Sequence, residues 1–267
     1  MQTNEVIDRD PLEVAARSAG TVCSAIAPML AEPHVSSGQV SQQLAGHRVE
    51  IVEDRGDWLL VRGADDYEGW MHRGYLESVT KANGHPQAAR VSLGCVVRDG
   101  DGNRCALPLR ALVQTHLVVE EGEVIAAEHV GSRFPRHAAA ITRSAMELFV
   151  GTAYQWGGVT PWGADCSGLV QSVFALHGVP LPRDAWQQAR AGRDAGRDLF
   201  RLDVADLLFF SDRPDGHVTH VAISLGAGRV VHLALGRGGY AVESLEDRRD
   251  AYVEKLRKRF LFARSVL

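Results

Sequence analysis

The chain has 267 residues, 45% hydrophobic and 23% charged, the proportions of a globular protein with enough apolar material for a real core. Its 29 Lys and Arg against 33 Asp and Glu leave a net charge of −4, without the clustered basic excess of a nucleic-acid or anionic-membrane binder. The four cysteines (Cys23, Cys95, Cys105, Cys166) are too few and too scattered for a disulfide framework, and none forms a C-x-x-C metal pair.

The N-terminus shows no basic segment followed by an apolar run, and no uncharged apolar stretch approaches the ~20 residues of a membrane helix. These features predict a cytoplasmic protein. From about 21 to 81, short β-rich runs alternate with turn signals: 49–52, a turn at 54–57, 58–61, a turn at 63–66, then 67–71. This texture predicts a small β-barrel. It repeats more faintly from 90 to 130, with runs at 90–97, 117–120 and 123–127 around a turn at 99–103, and predicts a second small barrel.

Pro135 marks a change to helical spacing over 138–150, with Ile141, Ala145, Leu148 and Phe149 on one stripe. A Gly- and Trp-rich loop at 154–163 precedes a second predicted helix, whose apolar face holds Leu169, Val170, Val173, Phe174 and Leu176 and which stops at Gly178. Strands are then predicted at 207–210, 219–225, 229–235, 240–243 and 260–266, so the C-terminal half reads as an α+β domain.

Cys166 stands at the first turn of the second helix, where unpaired N–H groups and the positive dipole end favour a thiolate. Cys23, Cys95 and Cys105 read as small buried hydrophobes. A nucleophilic cysteine needs a base, normally a histidine. If the strands at 219–225 and 229–235 form a hairpin pairing 225 with 229, then 222 faces 232 and 220 faces 234. His220 and His232 then share one face as diagonal neighbours, ~7–8 Å apart at Cα. A two-residue turn would break this phase. Cys166, His220 and His232 thus read as nucleophile, base and orienter. His177 and His217 read as capping or solvated side chains.

The motifs Tyr154-x-Trp156-Gly157-Gly158, Asp165-Cys166-Ser167-Gly168 and His220-Val221-Ala222-Ile223, with a later His232, resemble the NlpC/P60 papain-like cysteine peptidases over about 135–267. The resemblance implies an α+β papain-like catalytic domain that cleaves bacterial cell-wall peptides after γ-D-glutamate. In it Cys166, His220 and His232 would be catalytic, Tyr154 would lie near the oxyanion site, and Trp156, Asp165 and Ser167 would line the substrate cleft. Residues 27–29, Glu32-Pro33, 40–42, Asp57-Trp58 and Asp66-Tyr67-x-Gly69-Trp70 resemble bacterial SH3 domains joined to one subgroup, the γ-D-glutamyl-L-diamino acid endopeptidases of the dipeptidyl-peptidase VI type. That resemblance implies that the first barrel closes one end of the cleft, and that Glu32, Tyr67 and Asp184 hold the free amine of an N-terminal L-Ala. Ala185 departs from the small hydroxyl residue of many relatives.

The expected organisation is an N-terminal segment (1–20), two SH3-like barrels (21–83 and 84–135) and the catalytic domain (136–267). The expected partner is a murein-derived peptide, L-Ala-γ-D-Glu-diamino acid, in cell-wall recycling. No cofactor, metal, nucleic acid or membrane is expected, and the chain is expected to be a monomer. Three other readings stay open: an amidase or acyltransferase on the same core, a non-catalytic wall-binding SH3 protein, and a Cys/His2 zinc site without compact ligand spacing.

Overall fold

The computed structural model describes residues 18–78 and 90–267. The expected boundary between 83 and 84, and nearly all of the expected N-terminal segment, lie outside the described residues. The first unit holds β1 (Ala19–Val22), β2 (Ile26–Leu30), β3 (Gln39–Leu44), β4 (Arg48–Arg55), β5 (Trp58–Arg62), β6 (Glu68–His72) and β7 (Leu76–Ser78). They form one antiparallel sheet in the order β3-β2-β6-β5-β4-β1-β7. Alternate residues Val22, Ala27, Met29, Val49, Leu59, Val61 and Met71 point to one shared core, so the sheet rolls around them. The predicted turn at 54–57 is the β4–β5 hairpin, closing from Arg55 opposite Trp58.

The second unit comprises β8 (Arg90–Arg98), β9 (Arg104–Leu107), β10 (Leu112–Val113) and β11 (Val118–Ala126). Strand β8 is central and pairs with the other three. The runs 117–120 and 123–127 prove to be one strand, β11, interrupted by two bulges that the sequence presents as a break. Gly122 sits at a bulge with φ +78°, and a Cβ there would strike the carbonyl of Gly94. The apolar face of this unit is not self-contained. Cys95, Val97, Leu107, Ala111 and Val113 pack with Leu44 and Ala45 of the first unit and Val159 of the third.

In the third unit α1 (Val130–Arg133) and α2 (Ala138–Leu148) precede a small hairpin of β12 (Val159–Thr160) and β13 (Gly163–Ala164). Then follow α3 (Cys166–Leu176), α4 (Ala185–Gln188), β14 (Arg193–Gly196), β15 (Leu207–Phe210), β16 (His220–Gly226), β17 (Arg229–Ala234), β18 (Gly239–Ser244), α5 (Ala251–Lys258) and β19 (Phe260–Ser265). The strands make an antiparallel sheet in the order β14-β19-β15-β16-β17-β18. Its odd-numbered face (Leu207, Phe209, Val221, Ile223, Val231, Leu233) packs on α2 and α3. Its even-numbered face (Leu208, Phe210, Ala222, Val230) packs on Val253 and Leu256 of α5. Helix α5 escapes the periodicity test because it is eight residues long and buries only Val253 and Leu256. Among the described residues no helix is long and apolar enough to cross a membrane.

His47 ties the first unit to the second, its Nε2 3.0 Å from the Arg110 carbonyl and its Nδ1 3.2 Å from Gln43 Oε1. Burial, reinforced by the Arg110 charge, lowers its pKa to about 4. Between pH 6.5 and about 4 the unfolded chain therefore binds a proton at this site that the folded chain refuses. Stability contributed by neutral His47 is present above pH 6.5 and is lost as pH falls through about 4. Urea unfolding of wild type and His47→Gln across this window should show a shallower loss of stability in the variant.

Candidate active site

Cys166 is the first residue of α3 and owes its place to a buried polar knot. Asp165 caps the helix: its Oδ1 accepts from the Gly168 N–H at 2.7 Å and the Ser167 hydroxyl at 3.0 Å, and its Oδ2 accepts from the Gly157 N–H at 2.8 Å. Arg183, only 1% exposed, donates to both carboxylate oxygens at 3.0 and 2.7 Å, to Ser167 Oγ at 2.9 Å and to Ser41 Oγ of the first unit at 3.2 Å. Gly168 is required because a Cβ would land on the carbonyl of Gly158. The Asp-Cys-Ser-Gly run is thus read out residue by residue as cap, cleft-lining thiol, second carboxylate ligand and contact point. Asp165 and Ser167, expected to bind substrate, do border the cleft. Their polar atoms, however, are spent on this knot, so their observed part is to position Cys166.

The histidines meet as the strand phase requires, by a different turn. Gly226 pairs with Arg229 across a two-residue turn, Ala227-Gly228, with positive φ at both residues. A bulge at Leu225 absorbs the extra residue, so Ser224 pairs with Val230 and Ile223 with Val231, the register that places His220 and His232 on one face. His220 Nε2 lies 2.8 Å from His232 Nδ1. His220 and Ala234 line a cleft, whereas His232 behind them is completely buried. Beyond it stands Glu243, whose Oε1 is 3.8 Å from His232 Nε2, and Glu243 is held by Arg237 at 2.6 and 3.1 Å.

Burial, aided by Asp165, pushes the Cys166 thiol up to about 12 and outweighs the helix start that was expected to lower it. Burial, with His232 and Arg259 beside it, drives His220 well below the ordinary histidine value. Both shifts favour the neutral thiol and the neutral imidazole. A proton moved from the thiol to the imidazole would leave the net charge of the site unchanged.

A cleft of about 770 Å³ contains Cys166, His220, Tyr154, Trp156, Asp184, Ala185 and Trp186, and Tyr67 and Val40 reach it from the first unit. Tyr67 donates its hydroxyl to the Asp184 carboxylate, 3.3 Å from each oxygen, and Trp186 Nε1 donates to Asp184 Oδ2 at 3.1 Å. Burial raises the Asp184 carboxyl above its ordinary value despite Arg183 beside it. Burial and the Asp184 charge push Tyr67 up to about 12, and burial raises Tyr154, so both remain phenols that can donate. Gln39 donates to the Trp156 carbonyl at 2.9 Å, and Gln42 accepts from the Val159 N–H at 3.1 Å. These bonds fix the first unit against the cleft wall. Glu32 is the expected residue that the structure leaves out: its side chain is 71% exposed, meets His34 at 3.1 Å and does not line the cleft. The loop after β2 turns back on itself, with the Glu32 N–H donating to Ser37 Oγ.

Arg183, Glu243, Trp186, Lys255 and Arg259 were not expected at the site, and His217, expected as a solvated or capping residue, is exposed and also lines the cleft. For Arg183 a signal existed, since a cation beside Asp184 in an otherwise apolar stretch invites a buried partner. For the residues of α5 none did. His177 is a buried cap, bonded to the Pro135 carbonyl and Ser144 Oγ at 2.8 and 2.9 Å. All four cysteines are free, and Cys23 and Cys105 are exposed rather than buried. Among the described residues no group of three or more His, Cys, Asp or Glu side chains is arranged to hold a metal ion. Replacing Arg183 by Met should strand the Asp165 carboxylate in the interior and cost about 3–5 kcal/mol, read by denaturant unfolding, with loss of Cys166 reactivity.

Residues 151–256 match the model of the NlpC/P60 family, and residues 28–77 match that of the bacterial SH3 domain. The γ-D-glutamyl-L-lysine dipeptidyl-peptidase of Bacillus subtilis is 28% identical over 213 residues, covering 72% of this chain and 71% of that protein. Dipeptidyl-peptidase 6 of Lysinibacillus sphaericus is 28% identical over 270 residues, covering 88% and 94%. The crystal structure of an NlpC/P60 family protein from Bacillus cereus superposes with a TM-score of 0.73 at 19% identity, over 94% of this chain and all of that one, a likeness of fold. The chain carries an NlpC/P60 domain with a bacterial SH3 domain ahead of it.

Proposed function

We propose that the protein is a cysteine peptidase that hydrolyses the bond between γ-D-glutamate and a diamino acid in murein peptides with a free N-terminal L-Ala. The observation that carries this reading is the contact of Tyr67 with Asp184, by which the SH3 unit meets the wall of the cleft that holds Cys166 and His220. A carboxylate and a phenol at a half-buried position suit a small ammonium group, which must recover in charge and hydrogen bonds what it loses in leaving water. The relatives named as dipeptidyl-peptidases point to the same substrate class.

In the proposed reaction Cys166 gives its proton to His220 and attacks the γ-carbonyl, and backbone N–H groups at the start of α3 receive the oxyanion near Tyr154. His220 then protonates the leaving amine, and water releases the L-Ala-γ-D-Glu dipeptide. His232 holds His220 in register. In an intact wall stem the L-Ala nitrogen is acylated and carries no charge, so a pocket built for an ammonium favours released peptides. That preference supports a recycling role in the cytoplasm. We also read residues 90–126 as a second, diverged SH3-like unit bracing the first against the catalytic domain, on the strength of their shared core.

The test is incubation with L-Ala-γ-D-Glu-L-Lys and its diaminopimelate analogue, each with free and N-acetylated amine, with products identified by mass spectrometry. Free peptides should yield L-Ala-γ-D-Glu, acetylation should lower kcat/KM by about 100-fold or more, and Cys166→Ala should abolish cleavage. Equal turnover of free and blocked peptides would sink the amine-recognition reading while leaving a peptidase.

A further inference from the structure

His232 presents an unanswered atom. Its side chain is completely buried, its Nδ1 is taken by His220, and its Nε2 has no hydrogen-bond partner. The polar group facing that nitrogen is the Glu243 carboxylate, 3.8 Å away, longer than a hydrogen bond but close enough for strong electrostatic coupling in a dry interior. Glu243 reaches this place through strand pairing. Ala241 of β18 lies opposite His232, and Glu243, two residues on, is its diagonal neighbour on the same face.

The carboxylate is itself clamped. Arg237 donates Nε to Glu243 Oε1 at 2.6 Å and Nη2 to Oε2 at 3.1 Å, and the same Nη2 reaches Asp250 Oδ2. The guanidinium lies 4.5 Å from the centre of the Tyr252 ring, and that ring is 6.2 Å from His232. Burial opposes ionisation of Glu243, yet His232 and Arg237 beside it outweigh burial and hold it below its ordinary value. Two carboxylates around one guanidinium leave a net negative charge on the far side of His232.

The 2.8 Å contact between the histidines has two possible proton arrangements. With the proton on Nδ1 of His232, its bare Nε2 lone pair would face the Glu243 carboxylate, and neutral His220 would carry its proton on Nδ1. With the proton on Nε2 of His232, that N–H faces the carboxylate and Nδ1 accepts from Nε2–H of His220. Nδ1 of His220, the nitrogen not engaged by His232, is then bare.

We propose that Glu243 is a positioning residue that acts through the two histidines: by holding the proton on Nε2 of His232 it fixes His220 as the Nε2–H tautomer, whose bare Nδ1 takes the thiol proton. In that step the Sγ–H bond of Cys166 breaks, an Nδ1–H bond forms on His220, and the thiolate keeps the electron pair. The negative cluster of Glu243, Arg237 and Asp250 then faces the new imidazolium through His232. The inference rests on the peptidase reading for its consequence in catalysis, and on the geometry alone for the tautomers.

The experiment joins two readouts on the full chain. Long-range 1H–15N spectra of the histidine rings at neutral pH should show His220 and His232 both protonated on Nε2 in the wild type. Glu243→Gln should populate the opposite tautomer and lower kcat on L-Ala-γ-D-Glu-L-Lys by about 10-fold or more with KM little changed, and Glu243→Asp should restore much of both. Wild-type rings protonated on Nδ1, or a Glu243→Gln protein with wild-type tautomers, would overturn the proposal whatever the variant does to stability. Failure of the wild type to cleave any of the peptides would count against the peptidase reading alone, because the ring spectra still judge Glu243.

Discussion

The arrangement of this molecule depends on one buried ion pair, Arg183 with Asp165. A pair of charges removed from water gains little net stability over an apolar replacement, because desolvation consumes most of the attraction. Its value here is geometric. Asp165 caps the Cys166 helix and ties down the Gly157 loop, and Arg183 carries the same network across to Ser41 of the SH3 unit. One side-chain pair thus sets the direction of α3, the height of Cys166 and the seat of the neighbouring domain. The adjacent Asp184 is left free to face the cleft.

The chemistry proposed for the site follows from charge conservation in a partly desolvated cleft. Burial makes both the isolated thiolate and the isolated imidazolium costly, as the opposite displacements of Cys166 and His220 record. In the proposed reaction, moving a proton between them creates neither charge alone. The second histidine extends this logic inward, carrying the proton-bearing face of His220 to a carboxylate that solvent does not reach through the cleft. Helix α5 matters for the same reason: Tyr252, Val253 and Leu256 cover the histidine face and keep its dielectric low.

The three units share more than a chain. Leu44, Ala45 and Val159 bring the separate sheets into one apolar cluster, and the Gln39, Gln42, Asp65 and Tyr67 contacts are made along the same seam. A cleft wall built from another domain can only be as well placed as that seam is rigid. Apolar packing supplies the rigidity, and the hydrogen bonds supply the register.

Much of this was legible in the residues. Local signals with a short physical range read correctly: the turn at 54–57, the Asp-capped helix at Cys166, the stop at Gly178 and the strand phase of His220 and His232. The phase survived even though the turn was misjudged, because the bulge at Leu225 restored the alternation that burying one face demands. Contacts between residues far apart in sequence were not legible. Glu32 and Tyr67 looked equally able to reach the cleft, and only the path of the loop after β2 turned Glu32 away while the β5–β6 turn delivered Tyr67 to Asp184. Arg183, Glu243 and α5 likewise acquire their meaning from partners that no spacing rule connects. The sequence by itself determined the two longer helices and the side chains that share a face in the C-terminal strands, because those depend on periodicity and neighbouring residues. The tertiary structure alone decided which charges are buried together and which domain walls the cleft, because desolvation and packing act through space rather than along the chain.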